Sequence, residues 1–143
     1  MMRLFPFLIL CIWLASCTGK VSNDTAIKPS DTMTAKVQGP FAHTVYFWLK
    51  NPDNSEDRTA FENSLKRFIR TSTNITTRHI GVPAPTDRGV IDNSYTYSLL
   101  LTFTDEEAQQ KYQDEPAHKQ FIAESEQLWS KVIVYDSLNL LDE

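Results

Sequence analysis

The stretch from Tyr95 to Phe103 (YTYSLLLTF) constrains this chain more than any other, because it alternates strictly with a period of two. Tyr95, Tyr97, Leu99, Leu101 and Phe103 fall on one side, with Thr96, Ser98, Leu100 and Thr102 on the other. Successive side chains of a strand point to opposite faces, so the pattern describes a strand with one buried face. A lone strand leaves its backbone groups unpaired and its apolar side wet. The rest of the chain must therefore supply neighbouring strands and a covering layer.

Both are legible. Phe41–Lys50 (FAHTVYFWLK) is a second β-rich run, with His43, Val45, Phe47 and Leu49 on one face and Thr44, Tyr46 and Trp48 on the other. Asn51-Pro52-Asp53-Asn54 breaks it, and Phe61, Leu65, Phe68 and Ile69 then recur at helical spacing to form an apolar stripe. Ile75–Val82 reads as a weaker strand, closed by Pro83-Ala84-Pro85, and Thr86–Asn93 reads as a loop. After Phe103, Thr104-Asp105-Glu106-Glu107 has the form of a capping box, which predicts Thr104 as the N-cap. The second helix carries Ala108 and Tyr112 and breaks at Asp114-Glu115-Pro116, where Pro116 suits the first position of a fresh helical turn. Ala117, Phe121, Leu128 and Trp129 continue its apolar side, and Lys131–Leu138 closes the chain as a strand. The order β-α-β-β-α-β predicts an α+β, ferredoxin-like domain. Helices cover only one face of such a sheet, which leaves Tyr46, Trp48 and Leu100 together on the other. A contiguous apolar patch marks an interface, and a second copy stacked sheet to sheet, a homodimer, is the economical cover.

The N-terminus carries a different signal. Arg3 precedes the apolar run Leu4–Leu14, which is well short of the roughly 20 residues needed to span a bilayer. The run suits the h-region of an export signal instead. Leu14-Ala15-Ser16-Cys17 resembles a bacterial lipobox, and the resemblance implies cleavage before Cys17 and lipid on its thiol. An ordinary secretory signal with an incidental Cys17 accounts for fewer of these positions. Residues 1–16 are thus expected to be a lipoprotein signal peptide and residues 17–39 the lipidated cysteine and a polar, flexible tether; residues 40–143 form the domain. Of two cysteines, Cys11 leaves with the signal, so no intramolecular disulfide and no thiolate metal site can form. Charge excludes another class. Removing Arg3 takes 14 basic residues to 13 against 18 acidic ones, a net charge of −5 in place of −4. That balance argues against nucleic acid as a partner, because phosphate neutralisation dominates such binding. Attachment to the bacterial cell envelope would rest on the lipid anchor.

Several of these segments together suggest a family. The strand opening at His43, the TFTDEEA junction of residues 102–108, Tyr112-Gln-Asp-Glu-Pro116-Ala117-His118 and the closing Val132-Ile-Val-Tyr-Asp136 resemble the stress-responsive dimeric α/β-barrel (Dabb) domain over about Phe41 to Leu138. The resemblance implies a ferredoxin-like fold that dimerises sheet to sheet. A plant polyketide cyclase of that family closes an aromatic ring without a cofactor, in a pocket between sheet and helices. Its motif implies His118 as general base, Tyr112 as the neighbouring hydroxyl and His43 as a ligand-binding, pocket-lining residue. Leu65 stands where the cyclase has a first-helix tyrosine, which departs from the cyclase pattern.

The residues themselves leave two readings open. His118 titrates near neutrality, and the break at Pro116 lets it share a cavity with Tyr112, which suits proton transfer. It could equally fix the Pro116 turn through backbone carbonyls, with Tyr112 as core. His43 reads more naturally as structural, and His79 as surface. The three histidines lie on separate elements with no short-range pair, so no metal and no cofactor is expected. The sequence therefore predicts a homodimeric envelope domain with a pocket for a small apolar or aromatic ligand. The competing expectation is a non-catalytic structural or stress-associated interaction module. Replacing Cys17 by Ala is expected to abolish membrane retention and lipid labelling of the exported chain. Continued fractionation with membranes, with label still attached, contradicts the lipobox reading.

Overall fold

The computed structural model describes residues 37–141; the expected signal peptide, Cys17 and most of the expected tether lie outside the described residues. Seven elements follow in order: β1 (Phe41–Leu49), α1 (Ser55–Thr71), β2 (Thr77–Gly81), β3 (Tyr97–Phe103), α2 (Glu106–Asp114), α3 (Pro116–Ser125) and β4 (Trp129–Leu138). The expected second helix is thus two helices, α2 and α3, meeting at Pro116. The strands form one antiparallel sheet in the order β2-β3-β1-β4, the ferredoxin-like arrangement, and α1, α2 and α3 lie on one side of it. Among the described residues no helix is long and apolar enough to cross a membrane.

Local chemistry explains where the helices start. The Asn54 side chain accepts from the Glu56 and Asp57 N–H groups at 2.9 Å each, satisfying two of the free donors that open α1. At α2 the expected cap moves by one residue. Asp105, not Thr104, is the N-cap, and its carboxylate accepts from Ala108 N–H at 2.7 Å. The Thr104 hydroxyl instead donates to Asp105, while Glu107 pairs forward with Lys111 at 2.8 Å. A carboxylate at this place meets the positive end of the helix more favourably than a hydroxyl does.

The core forms where the inward faces of β1 and β3 meet the helices. Val45, Phe47, Leu99, Leu101 and Phe103 are buried from the sheet, and Phe61, Leu65, Phe68 and Ile69 from α1, as the periodicities predict. Phe61 stacks on Tyr97 with ring centroids 5.0 Å apart, and Phe68 on Phe121 at 5.3 Å. An ion pair from Arg67 to Glu124, which also accepts from the Ser64 hydroxyl at 2.6 Å, ties α1 to α3.

Two expectations at strand ends are corrected. Tyr95 does not continue the inward face of β3. Thr96 turns inward instead, with its N–H donating to the Phe47 carbonyl at 2.8 Å and its hydroxyl oxygen accepting from Leu49 N–H at 3.0 Å. With Thr96 serving the end of β1, Tyr95 emerges on the outer face, 4.9 Å from the Tyr46 ring. Trp129 likewise opens β4 rather than extending a helix. The helix has already ended at Ser125, and Lys50 N–H donates to the Leu128 carbonyl at 2.9 Å, drawing the chain back beside β1. The outer face is therefore more aromatic than expected. It carries Tyr46, Trp48, Tyr95, Leu100, Ile133 and Tyr135, with Lys131 lying 4.3 Å above the Trp48 ring.

Candidate functional site

The inward face of β1 carries a histidine two residues after Phe41, and the pairing of β1 with β4 decides its environment. His43 is 5% exposed, and the register places Asp136 directly opposite. The His43 Nδ1 lies 2.6 Å from Asp136 Oδ1. A carboxylate only accepts, so Nδ1 carries the hydrogen, and Nε2 is left with its lone pair in the neutral ring.

The other two candidates come from the break between α2 and α3. Tyr112, 1% exposed, lies near the end of α2 and packs on Phe103, Phe68 and His43 with centroids 5.0, 5.3 and 5.8 Å away. Pro116 has no N–H to continue the α2 ladder, and it opens α3 at its first position. Gln113 is among the last residues of α2, whose carbonyls lack helical partners. The His118 ring supplies one, with Nδ1 donating to the Gln113 carbonyl at 3.1 Å. That bond again places the hydrogen on Nδ1. It also brings the His118 ring to 5.0 Å from Tyr112. The structure thus joins His43, Tyr112 and His118, which the sequence holds on three separate elements. Cys17 lies outside the described residues, and His79 is exposed on β2.

These side chains, with Gln113, line a cavity of about 210 Å³ whose remaining walls are apolar, Val45, Phe47, Phe121, Trp129, Val132 and Val134 among them. Burial pushes the His118 imidazole below its ordinary value, helped by the nearby His43 and opposed by the Gln113 carbonyl, so it is neutral at neutral pH. Burial also drives the Tyr112 phenol well above its usual range, and the carboxylates of Glu115 and Asp136 add to the shift. Tyr112 therefore stays a neutral hydrogen-bond donor, with no protein partner for its hydroxyl among the described residues. The site brings two imidazoles and one phenol donor together at a largely apolar cavity. Among the described residues, no group of three His, Cys, Asp or Glu side chains could hold a metal ion. Leu65 lies fully buried beside Tyr97 and does not line this cavity. The residue that sequence reasoning missed is Asp136. The available signal was an acidic residue on the inward side of the last strand, opposite a histidine.

A ferredoxin-like α+β domain with a small pocket between sheet and helices is the class that this fold and site define. The chain belongs to the stress responsive A/B barrel domain family, whose sequence profile matches residues 41–139. No curated protein matches the chain by sequence. Among solved structures it is similar to a Dabb family protein with a ferredoxin-like fold from Mesorhizobium loti, at 25% identity and a TM-score of 0.60, covering 72% of this chain and 99% of that one. It is also similar to a dimeric ferredoxin-like protein of unknown function from Bacteroides fragilis, at 18% identity and a TM-score of 0.56, with 71% and 98% covered. A hydroxynitrile lyase from Passiflora edulis has a TM-score of 0.59 at 16% identity, with 73% and 98% covered. The last two likenesses are of fold alone.

The neutral state of His118 has a consequence for stability. Unfolded, the ring titrates near 6.5, and in the fold it titrates lower. Between these values the unfolded chain binds more protons, so stability is full above the window and falls as pH drops through it. An NMR titration is expected to give His118 a midpoint below 6.5, and His118→Gln should flatten part of the stability loss between about pH 7 and 5. A midpoint at or above the ordinary value contradicts this.

Proposed function

We propose that this protein is a homodimeric Dabb domain, anchored in the bacterial envelope through lipid on Cys17, that binds a small organic ligand between its sheet and helices and serves cofactor-free proton transfer there. The observation that carries this reading is the convergence of His43, Tyr112 and His118 on a largely apolar cavity of about 210 Å³. The neutral His118 imidazole can accept a proton, and the Tyr112 phenol can hold the oxygen that gains charge. Neither needs a cofactor. That the fold also belongs to the Passiflora edulis hydroxynitrile lyase is compatible with small-molecule chemistry in this architecture. One specific observation favours the competing reading of a non-catalytic interaction module, namely the His118 bond to the Gln113 carbonyl, which steadies the Pro116 break.

Ligand binding separates the two readings. With 2-naphthol as an uncharged aromatic probe followed by NMR, Tyr112→Phe is expected to weaken binding about 2–10-fold, the worth of one hydrogen bond, without changing the melting temperature. His118→Ala should weaken binding similarly and cost about 1–3 kcal/mol of stability, since the Gln113 carbonyl loses its partner. Absence of binding by the wild type, or binding untouched by either change, leaves only the interaction module.

The dimer rests on the outer sheet face, and the Bacteroides fragilis relative described as dimeric supports it. The tether-free domain is expected to be a dimer at micromolar concentration by light scattering, and Trp48→Glu should make it a monomer. A wild type that is already monomeric, or an unchanged mass for the variant, contradicts the homodimer.

A further inference from the structure

The shortness of β2 leaves part of the helix-facing side uncovered. The strand stops at Gly81, opposite Ser98, and the chain leaves the sheet at Val82. Beside that end lies a pocket of about 290 Å³, lined by Glu62, Leu65 and Lys66 of α1, by Ile80 and Val82, and by Tyr97 of β3. It shares no residue with the cavity of His43, Tyr112 and His118. The geometry points to this pocket as a second binding site, one that takes a small monocarboxylate with a short alkyl or aryl body. The site stands independently of any chemistry at the other cavity.

The walls select the body of the ligand. Leu65, Ile80, Val82 and the Tyr97 ring are apolar, and the Tyr97 O–H is already engaged, donating to Glu62 at 2.7 Å. An alkyl or aryl group laid against them leaves water at no polar cost. The volume sits at the lower bound of the roughly 300–1,000 Å³ of pockets for drug-sized ligands, so the body is small. The mouth selects the charge. Glu62 also accepts from Lys66 Nζ at 2.6 Å, and the Arg58 guanidinium lies 5.1 Å above the Tyr97 ring. The hydrogen bonds from Lys66 and Tyr97, with the charges of Lys66 and Arg58, hold the Glu62 carboxyl below its usual range although burial opposes them. Glu62 is therefore ionised and doubly bonded. The other cation of this side, Arg78, donates to the Ile69 and Ser72 carbonyls at the C-terminal end of α1. Two cations thus face one anion at the mouth, and one positive charge is left to balance. A lysine has three N–H donors, of which Glu62 takes one. A carboxylate accepts from the others and neutralises the excess. A phosphate ester brings more negative charge than the mouth can balance, and a cation meets a carboxylate that is already neutralised.

The test follows hexanoate by methyl NMR on the chain from Ala35 onward, which holds every element of the fold. An acid this small is expected to bind with a Kd of about 1 mM and to shift the methyl signals of Leu65, Ile80 and Val82. Hexan-1-ol and hexylamine carry the same alkyl chain without the negative charge and should bind at least about threefold more weakly. Lys66→Met should weaken hexanoate about 3–10-fold at an unchanged melting temperature, the worth of one half-exposed ion pair and its hydrogen bond. Lys66→Glu should reverse the preference, so that hexylamine binds more tightly than hexanoate, which a purely structural lysine would not produce. Val82→Asp, at an exposed wall position, should also weaken hexanoate while leaving the fold intact. Shifts confined to Val132 and Val134 of the other cavity overturn the proposal, as does the lack of any shift at about 20 mM hexanoate. Hexan-1-ol binding as tightly as hexanoate, or a preference untouched by Lys66→Glu, overturns the carboxylate class.

Discussion

Everything in this domain is referred to the pairing of β1, the one strand flanked by two long partners, β3 and β4. Because a strand's side chains alternate, its two registers decide at once which residues of three strands face the helices. They send Val45, Phe47 and Leu99 into the core, set His43 opposite Asp136 and turn Tyr46, Trp48 and Ile133 outward. A shift of one residue on either side would exchange core for surface, and one against β4 would also separate the histidine from its carboxylate. The burial of the inward set against α1 guards against that shift.

Pro116 is the second determinant, and it acts by omission. A continuous helix would leave the Gln113 carbonyl in the ladder and carry His118 away from it. With no N–H at Pro116 the ladder stops, the freed carbonyl recruits the His118 ring, and Tyr112 and His118 come to share one cavity. A turn-fixing role for His118 is therefore compatible with the proposed chemical one. The bond that steadies the turn also selects the tautomer that leaves Nε2 bare.

The two faces of the sheet divide the work. On the helix side the cavity lies beside β4, where Val134 is 47% exposed, and a second pocket of about 290 Å³ opens between α1 and β2. The outer side is aromatic and open. There the Tyr46 ring packs edge to face against Tyr95 and Tyr135, beside a shallow hollow that also takes in Asp92 and Lys131.

Periodicity and punctuation in the sequence were enough for the element order, the inward faces of β1, β3 and α1, the break at Pro116 and an unpartnered outer face. Those features depend on side-chain spacing along the chain, and spacing is local. The sequence by itself also placed Tyr112 and His118 on either side of one helix break. Tertiary structure decided the rest. Thr96 turned inward because the end of β1 needed its hydroxyl and N–H, which moved Tyr95 to the outer face. The cap passed from Thr104 to Asp105, a choice between neighbours that share the same pattern. Asp136 became the partner of His43 only through a register between strands more than ninety residues apart. No local rule specifies that pairing, because register is settled by the burial of two whole faces rather than by the residues that happen to meet.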